Sequence, residues 1–473
     1  MIPDPKAVYI RGMDTRYQPD PAYTSLGDGF ADEATPADFP STILRFRNDR
    51  HADAIGLGGL DSAAWTRHFA RFEPLPANLS RPLALRYHGH QFMSYNPGLG
   101  DGRGFLFAQL RAPDGRLLDL GTKGSGTTPW SRGGDGRLTL KGGVRELLAT
   151  ELLEALGVTT SKSFSLVETG EELDRYDEPS PTRASVLVRL SHGHIRFGSF
   201  QRFAFIGDLV RLRKLFDYSC SVYHPQHATP AGFLARVSSA VATTCGRWIA
   251  AGFVHGVLNT DNMNITGESF DYGPWRFTPE CDPGFTAAYF DHGGLYAYGN
   301  QAKAVRWNVQ RLADALSGLG EPLDHALDSF EEDFFGGVRA GVLQRLGVAP
   351  VGDAADTALI QELLRFAQKT KINLDRLYFD LYGGAASHTR RARSPFAPLY
   401  RSSAFELLAE LIDGRAARHP ERLADPYWQE EAPVDLHIDT VEALWAHIDQ
   451  RDDWAPLNGH IARIRKLGAL LAE

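Results

Sequence analysis

Apolar positions along residues 140–156 recur at helical spacing: Val144, Leu147, Leu148, Leu152 and Leu156 share one stripe, and Gly157 follows as a natural stop. The same criterion predicts helices at 61–72, 230–251, 301–318, 322–346, 354–370, 402–417, 437–449 and 456–471, with Pro230 at a favourable early position. Strand-like apolar runs lie earlier. One follows the glycines at 100–104, one is LLDLGT ending at Lys123, and two, SFSLVETGE and ASVLVRLSHGHIRFG, fall within 163–198 around a loop with Pro179 and Pro181. Strands first and helices later give an α+β chain. Residues 1–80, rich in Pro, Asp and aromatics, read as an extension wrapped on the core, 81–200 as a mixed lobe and 201–473 as a helical lobe. The sequence contains no internal repeat and no low-complexity linker.

The helix over 230–251 delivers the chain into HGVLNTDNMNITGESFDYG, residues 255–273. A β-hairpin over 263–270, turning at Thr266-Gly267, would set Asn262 opposite Asp271, with Cβ atoms roughly 5 Å apart and close enough to share one ion. The same register sends Met263, Ile265 and Phe270 to the core and Asn262, Asn264, Ser269 and Asp271 to the opposite face.

Charge and composition then narrow the class. A net charge of −8, from 50 basic and 58 acidic residues, argues against a general nucleic-acid binder. Cys220, Cys245 and Cys281 are far apart, without a CxxC, so neither a disulfide framework nor a thiolate zinc site is supported. The start, MIPDPKAVYIRGMD, lacks the apolar core of a signal peptide, and no run approaches the roughly 20 apolar residues of a membrane span. The expectation is a cytoplasmic monomer with no nucleic-acid and no membrane partner. His88, His90, His192 and His194 do not read as a zinc site, because each HGH pair lacks a third ligand at zinc-like spacing.

The strand half carries groups suited to phosphate. A glycine-rich turn at Gly100-Asp101-Gly102-Arg103 can bring backbone N–H groups up to an anion. Lys123 ends a strand and Glu146 lies on the following helix, across a loop of Gly, Ser and Thr, which is the order of the nucleotide-gripping pair of kinases. Arg189 and Arg196, seven apart, would face opposite ways on an unbroken strand, and Gly193 supplies a bend that turns both toward one site. Two guanidiniums suit a triphosphate. No GxxxxGK[ST] and no GxGxxG in a βαβ unit is present, so Walker and Rossmann readings fall away.

Kinases place a metal-binding Asn five residues after the catalytic Asp, and a second metal Asp before a glycine. Asn262 and Asp271-Tyr272-Gly273 fit, but five residues before Asn262 stands Val257, which accepts no proton. Asp261 is the nearby candidate base. These residues carry a resemblance to the selenoprotein O family (YdiU-like), in GHQF at 89–92, GDGR at 100–103, the KGSGTTPWSR run from Lys123, RE at 145–146, SHGHIRFG at 191–198, HGVLNTDNM at 255–263, DYG at 271–273 and the helix from Trp307.

The resemblance implies a two-lobed protein-kinase-like fold and an adenylyltransferase that moves AMP from ATP to Ser, Thr or Tyr hydroxyls of proteins, itself included, releasing pyrophosphate. It implies Lys123 on the phosphates with Glu146 orienting it, and Arg189 and Arg196 on the distal phosphates. Gly100, Gly102, Arg103, Asp135 and Gly136 would line the nucleotide pocket, Asp261 would be the base, and Asn262 with Asp271 would hold Mg²⁺, or Mn²⁺ in its place. A conventional kinase and a non-catalytic ATP-binding pseudokinase are the alternatives. The chain departs from the family pattern at Met93, where GHQFG is usual, at Phe290-Asp291-His292-Gly293, where NHSD is usual, and in lacking a C-terminal cysteine or selenocysteine beside which Cys281 would have a redox role. His255 reads as a supporting group at the helix-to-loop corner.

Overall fold

The computed structural model describes residues 12–176 and 178–472. The first eleven residues, part of the start read above as lacking a signal-peptide core, lie outside them. An antiparallel sheet runs in the order Ala31–Glu33, Leu83–Leu85, Leu106–Arg111, Leu117–Lys123, Thr182–Ser191, Lys162–Leu173, Ile43–Arg47, with the short Leu138–Thr139 strand also on Thr182–Ser191. The first fifty residues therefore supply strands at both edges.

Both faces of this sheet are covered, which is why its strands read as apolar runs and not as alternations. On one face Leu118, Leu120, Phe164, Val186 and Val188 pack with Trp65 and Phe69 of the helix Ser62–Phe69. On the other, Leu117, Leu166 and Leu187 pack with Val144, Leu147 and Leu148 of the helix Leu140–Ala155. Thr139 caps that helix, its hydroxyl accepting from Gly142 N at 3.0 Å. The helix Ala455–Leu471 lies along it, with Arg465 Nε and Nη2 donating to the two Glu151 carboxylate oxygens at 2.8 and 2.7 Å.

The remaining helices gather around Pro230–Ala251. Its small residues let Phe330–Leu346 approach closely: a Cβ on Gly246 would overlap the Phe334 carbonyl oxygen, and one on Gly337 the Thr243 carbonyl. Gly252, at φ 70°, closes the helix in the left-handed conformation and turns the chain into Phe253, Val254 and His255. Among the described residues no helix is long and apolar enough to cross a membrane.

The fold is mixed α/β with an antiparallel sheet, and several expected elements need correction. The helix expected over 322–346 begins at Phe330, because Pro322 and His325, at φ 67°, keep the preceding residues in turns. That over 402–417 shrinks to Glu406–Asp413, since Arg415 leaves the helical path to pair with buried Asp356 at 2.5 Å. The second strand in 163–198 stops at Ser191. Gly193, at φ 83°, turns the chain, and Arg196 then precedes an unexpected helix, Phe197–Phe205, which buries Phe197, Phe200 and Phe203. Leu209–Tyr223 and Leu374–Leu381 are further helices not read from the sequence.

The hairpin over 263–270 does not form. A turn exists, with Gly267 N donating to Asn264 O at 3.0 Å, but its arms pair outward: Asn264 bridges to Arg196 and Ser269 to Thr160. Met263, Ile265 and Phe270 are buried as expected. Asn264 and Ser269 are buried too. Asn264 Nδ2 donates to Gly193 O at 2.7 Å and the Tyr272 hydroxyl donates to Ser269 Oγ at 2.7 Å, so neither belongs to a chemical face.

Candidate active site

Strand register sets the first side of the site. Leu187 lies opposite Lys123 and Arg189 opposite Gly121, so Lys123 and Arg189 leave the sheet on the face covered by Leu140–Ala155. Glu146, one turn and a half into that helix, is buried and takes a hydrogen bond from Lys123 Nζ, while its second oxygen has no partner. Arg196 reaches the same place from the turn after Gly193. Its guanidinium lies 4.6 Å above the Tyr87 ring and 4.7 Å above Phe270, which fixes the charge against aromatic faces.

The second side comes from the loop after Gly252. Asp271, in the left-handed region at φ 59°, accepts from Arg189 Nη1 at 2.5 Å and Arg196 Nη1 at 2.8 Å, and Lys123 Nζ lies 3.5 Å away. Burial alone would raise its carboxyl, but Arg189, Lys123 and Arg196 outweigh burial and hold it well below the usual range. Asn262 Nδ2 donates to the Val257 carbonyl at 2.9 Å, which leaves its Oδ1 as a free acceptor. Asp261 follows a different course. Burial pushes its carboxyl up to about 6, against the pull of Arg196, and its Oδ1 is buried with no partner.

A cleft of about 760 Å³ joins the two sides. It is lined by Gly100, Gly102, Arg103, Lys123, Asp135, Gly136, Arg189, Arg196, Asp261, Asn262 and Asp271, and Glu146 stands behind Lys123. Gly100 is held to glycine because a Cβ there would overlap the Trp130 ring. Asp135 pairs with Arg175 at 2.8 Å and accepts from Arg137 N, so it shapes the rim of the loop. The volume suits a nucleotide.

Several lining residues escape the sequence reading, Asp101, Trp130, Arg132 and Asn259 among them. Asp101, mostly shielded from water and raised by that desolvation, accepts from Leu85 N at 3.1 Å and lies 3.3 Å from Arg196 Nη2, tying the glycine turn to Arg196. Its place inside GDGR is a signal, although an aspartate in a turn is commonplace. Trp130 donates its indole N–H to Asp32 at 2.9 Å, and Arg132 lines the cleft beside it. Neither has a spacing that marks it. His255 is buried, with Nε2 3.1 Å from the Phe270 carbonyl. The tempting histidines are engaged in the fold: His88 with the Tyr95 hydroxyl and Arg202, and His194 with Asp119. Cys281 is buried, which raises its thiol to about 11 and keeps it protonated at neutral pH.

A lysine–glutamate pair, two arginines, the adjacent Asp261 and Asn262, and Asp271 before Tyr272-Gly273 gather around one cleft in the motif order of a known family. A family model described as protein adenylyltransferase SelO matches residues 13–465. The chain belongs to the SelO family. Relatives named protein nucleotidyltransferase YdiU are 45% identical in Gloeobacter violaceus, over 94% of this chain and 95% of the relative, and 42% identical in Synechocystis, over 94% and 97%. One in Trichodesmium erythraeum is 40% identical, over 92% and 96%. A SelO-family protein is by class a nucleotidyltransferase, with a nucleotide as substrate. The residues present fit a divalent cation in donor type: Asn262 Oδ1 and the Asp271 carboxylate, whose two oxygens accept from Arg189 and Arg196, are hard oxygen donors lining the same cleft. Among the described residues no group of three or more His, Cys, Asp or Glu forms an all-protein cage. Two protein oxygens alone are the donor set that Mg²⁺ uses with substrate phosphates.

Proposed function

We propose that this protein transfers AMP from ATP to Ser, Thr or Tyr hydroxyls of proteins, in a two-lobed kinase-like architecture with residues 81–200 as the nucleotide lobe and 201–473 as the helical lobe. The observation that carries the reading is Asp261: a buried carboxylate on the cleft wall whose Oδ1 has no partner, next to Asn262, while Val257 occupies the ordinary kinase position of the base. Lys123, Arg189 and Arg196 bind the triphosphate and neutralise the leaving pyrophosphate, and Glu146 keeps Lys123 aimed. The acceptor hydroxyl gives its proton to Asp261 as its oxygen bonds the α-phosphorus, and the bond from that phosphorus to the bridging oxygen of the β-phosphate breaks. Asn262 and Asp271 would hold Mg²⁺ or Mn²⁺, which when bound supplies charge neutralisation on the phosphates. Self-modification is part of the proposal, as is action as a cytoplasmic monomer.

ATP labelled at the α- or the γ-phosphate decides the reaction. The proposal expects α-label on protein and no γ-label. Transfer of γ-label alone would make the protein a phosphotransferase with Asp261 as its base, and nucleotide binding without either transfer would make it a pseudokinase.

A further inference from the structure

Two exposed apolar segments meet in space. Met93 sits with Phe92 in the two-residue turn between the strands Gly89–Gln91 and Ser94–Asn96, and Tyr289 and Phe290 come from the chain nearly two hundred residues later. The Phe92 and Phe290 rings are 5.7 Å apart, and Tyr289 continues the row at 5.1 Å from Phe290. These four side chains are 38–78% exposed.

The turn is built against its own chemistry. Phe92 and Met93 both hold positive φ, 48° and 63°, in a turn class that favours Asn-Gly. Large apolar side chains are thus kept in a disfavoured conformation and in contact with water, a combination typical of functional surfaces.

The row is fastened to the catalytic segment. Phe92 N donates to Asn259 Oδ1 at 3.2 Å, His90 N donates to Thr260 Oγ1 at 2.7 Å, and Gly89 packs on the Asp261 side chain. Asn259 and Asp261 both line the cleft, so the turn that carries Phe92 and Met93 is tied to the wall that bears the carboxylate, although the row itself lies outside the cleft lining.

We propose that this row, Phe92, Met93, Tyr289 and Phe290, seats a bulky apolar side chain of the acceptor protein close in sequence to the modified hydroxyl residue. The inference rests on adenylyl transfer to protein hydroxyls, since only a polypeptide acceptor brings such a neighbour to Asp261. Of the possible occupants an acceptor segment fits best, because the strand pair beneath the row is bonded to Asn259 and Thr260, the residues immediately before Asp261.

The test uses the full chain, α-labelled ATP and synthetic peptides with one Ser, Thr or Tyr flanked by Leu and Phe or by Gly and Asp. Wild type is expected to label the apolar-flanked peptides with a KM about tenfold lower, the discrimination one buried apolar contact supplies. Phe290→Ser and Tyr289→Ser should raise that KM about tenfold while kcat and ATP affinity stay put. Met93→Gly, which relieves the turn and so guards against misfolding, should lose part of the preference and melt no lower than wild type. Equal KM values for the two peptide sets, or a Phe290→Ser protein that keeps the preference, overturns the docking role even when lysate proteins are labelled. No α-label on any peptide, lysate protein or the chain itself refutes adenylyl transfer and this inference together.

Discussion

Asp261 and Asp271 stand ten residues apart, and Arg196 touches both, one at its carbonyl and the other at its carboxylate. Their environments push them in opposite directions: Asp271 is held ionised by three cations, and Asp261 is raised by burial into the range where a carboxylate is a useful base. Asp261→Ala is expected to lower the rate of label transfer about 10²- to 10⁴-fold with ATP affinity unchanged, as read by single-turnover kinetics beside equilibrium binding. A second buried acid, Glu268, predicts a stability effect. It accepts from His192 N at 2.6 Å, and burial raises its carboxyl to about 7 against the opposing pull of Lys162, the His192 N–H and Arg116, with Asp119 adding to the rise. The folded state therefore binds a proton that the unfolded state releases between about pH 4.5 and 7. This contribution is full below the lower value and lost as pH rises through the upper one. Glu268→Gln should match wild type near pH 5 and be more stable by about 1–3 kcal/mol at pH 8 in denaturant titrations. Most of the cleft is legible residue by residue, because Lys123, Arg189, Arg196, Asn262 and Asp271 sit in short motifs of unusual chemistry. Asp101 and Trp130 are not, since their value lies in contacts with Arg196 and Gly100 that no local spacing encodes.

Among the elements, long periodic helices are legible to within a residue or two, as at Leu140–Ala155, Pro230–Ala251 and Ala455–Leu471. The misreadings cluster where remote partners decide. The segment 263–270 has a turn at its centre and was free to fold on itself, yet Asn264 and Ser269 find their partners at Arg196 and Thr160, from elsewhere in the chain. Phe197–Phe205 begins Phe-Gly-Ser and owes its helical form to three phenylalanines buried on one side. The crossing of Pro230–Ala251 with Phe330–Leu346 yields a prediction of its own. Gly246→Val would drive a branched side chain into the Phe334 carbonyl and is expected to cost about 3 kcal/mol or more, visible as a lower urea midpoint and, through the displaced loop after Gly252, as weaker nucleotide binding.

For the whole molecule, the arrangement turns on which parts hold the Glu146 helix. The sheet supports one side, and Ala455–Leu471 supports the other through Arg465, Leu467 and Leu470. Arg465→Ala would leave Glu151, 3% exposed, without its main cation. The expected loss is about 1–3 kcal/mol by thermal unfolding, with a fall in transfer rate because Lys123 depends on Glu146. Arg465→Lys should restore part of the stability and less of the rate. Glu151 and Arg465 are 314 residues apart in sequence. During synthesis the strands, the arginines and the metal-type loop all leave the ribosome long before this clasp, so a growing chain carries every group of the cleft while the helix behind Lys123 is still open to water. Nascent chains stalled between the cleft and Arg465 should thus bind nucleotide poorly, and competence should arrive as a single late event when the clasp emerges.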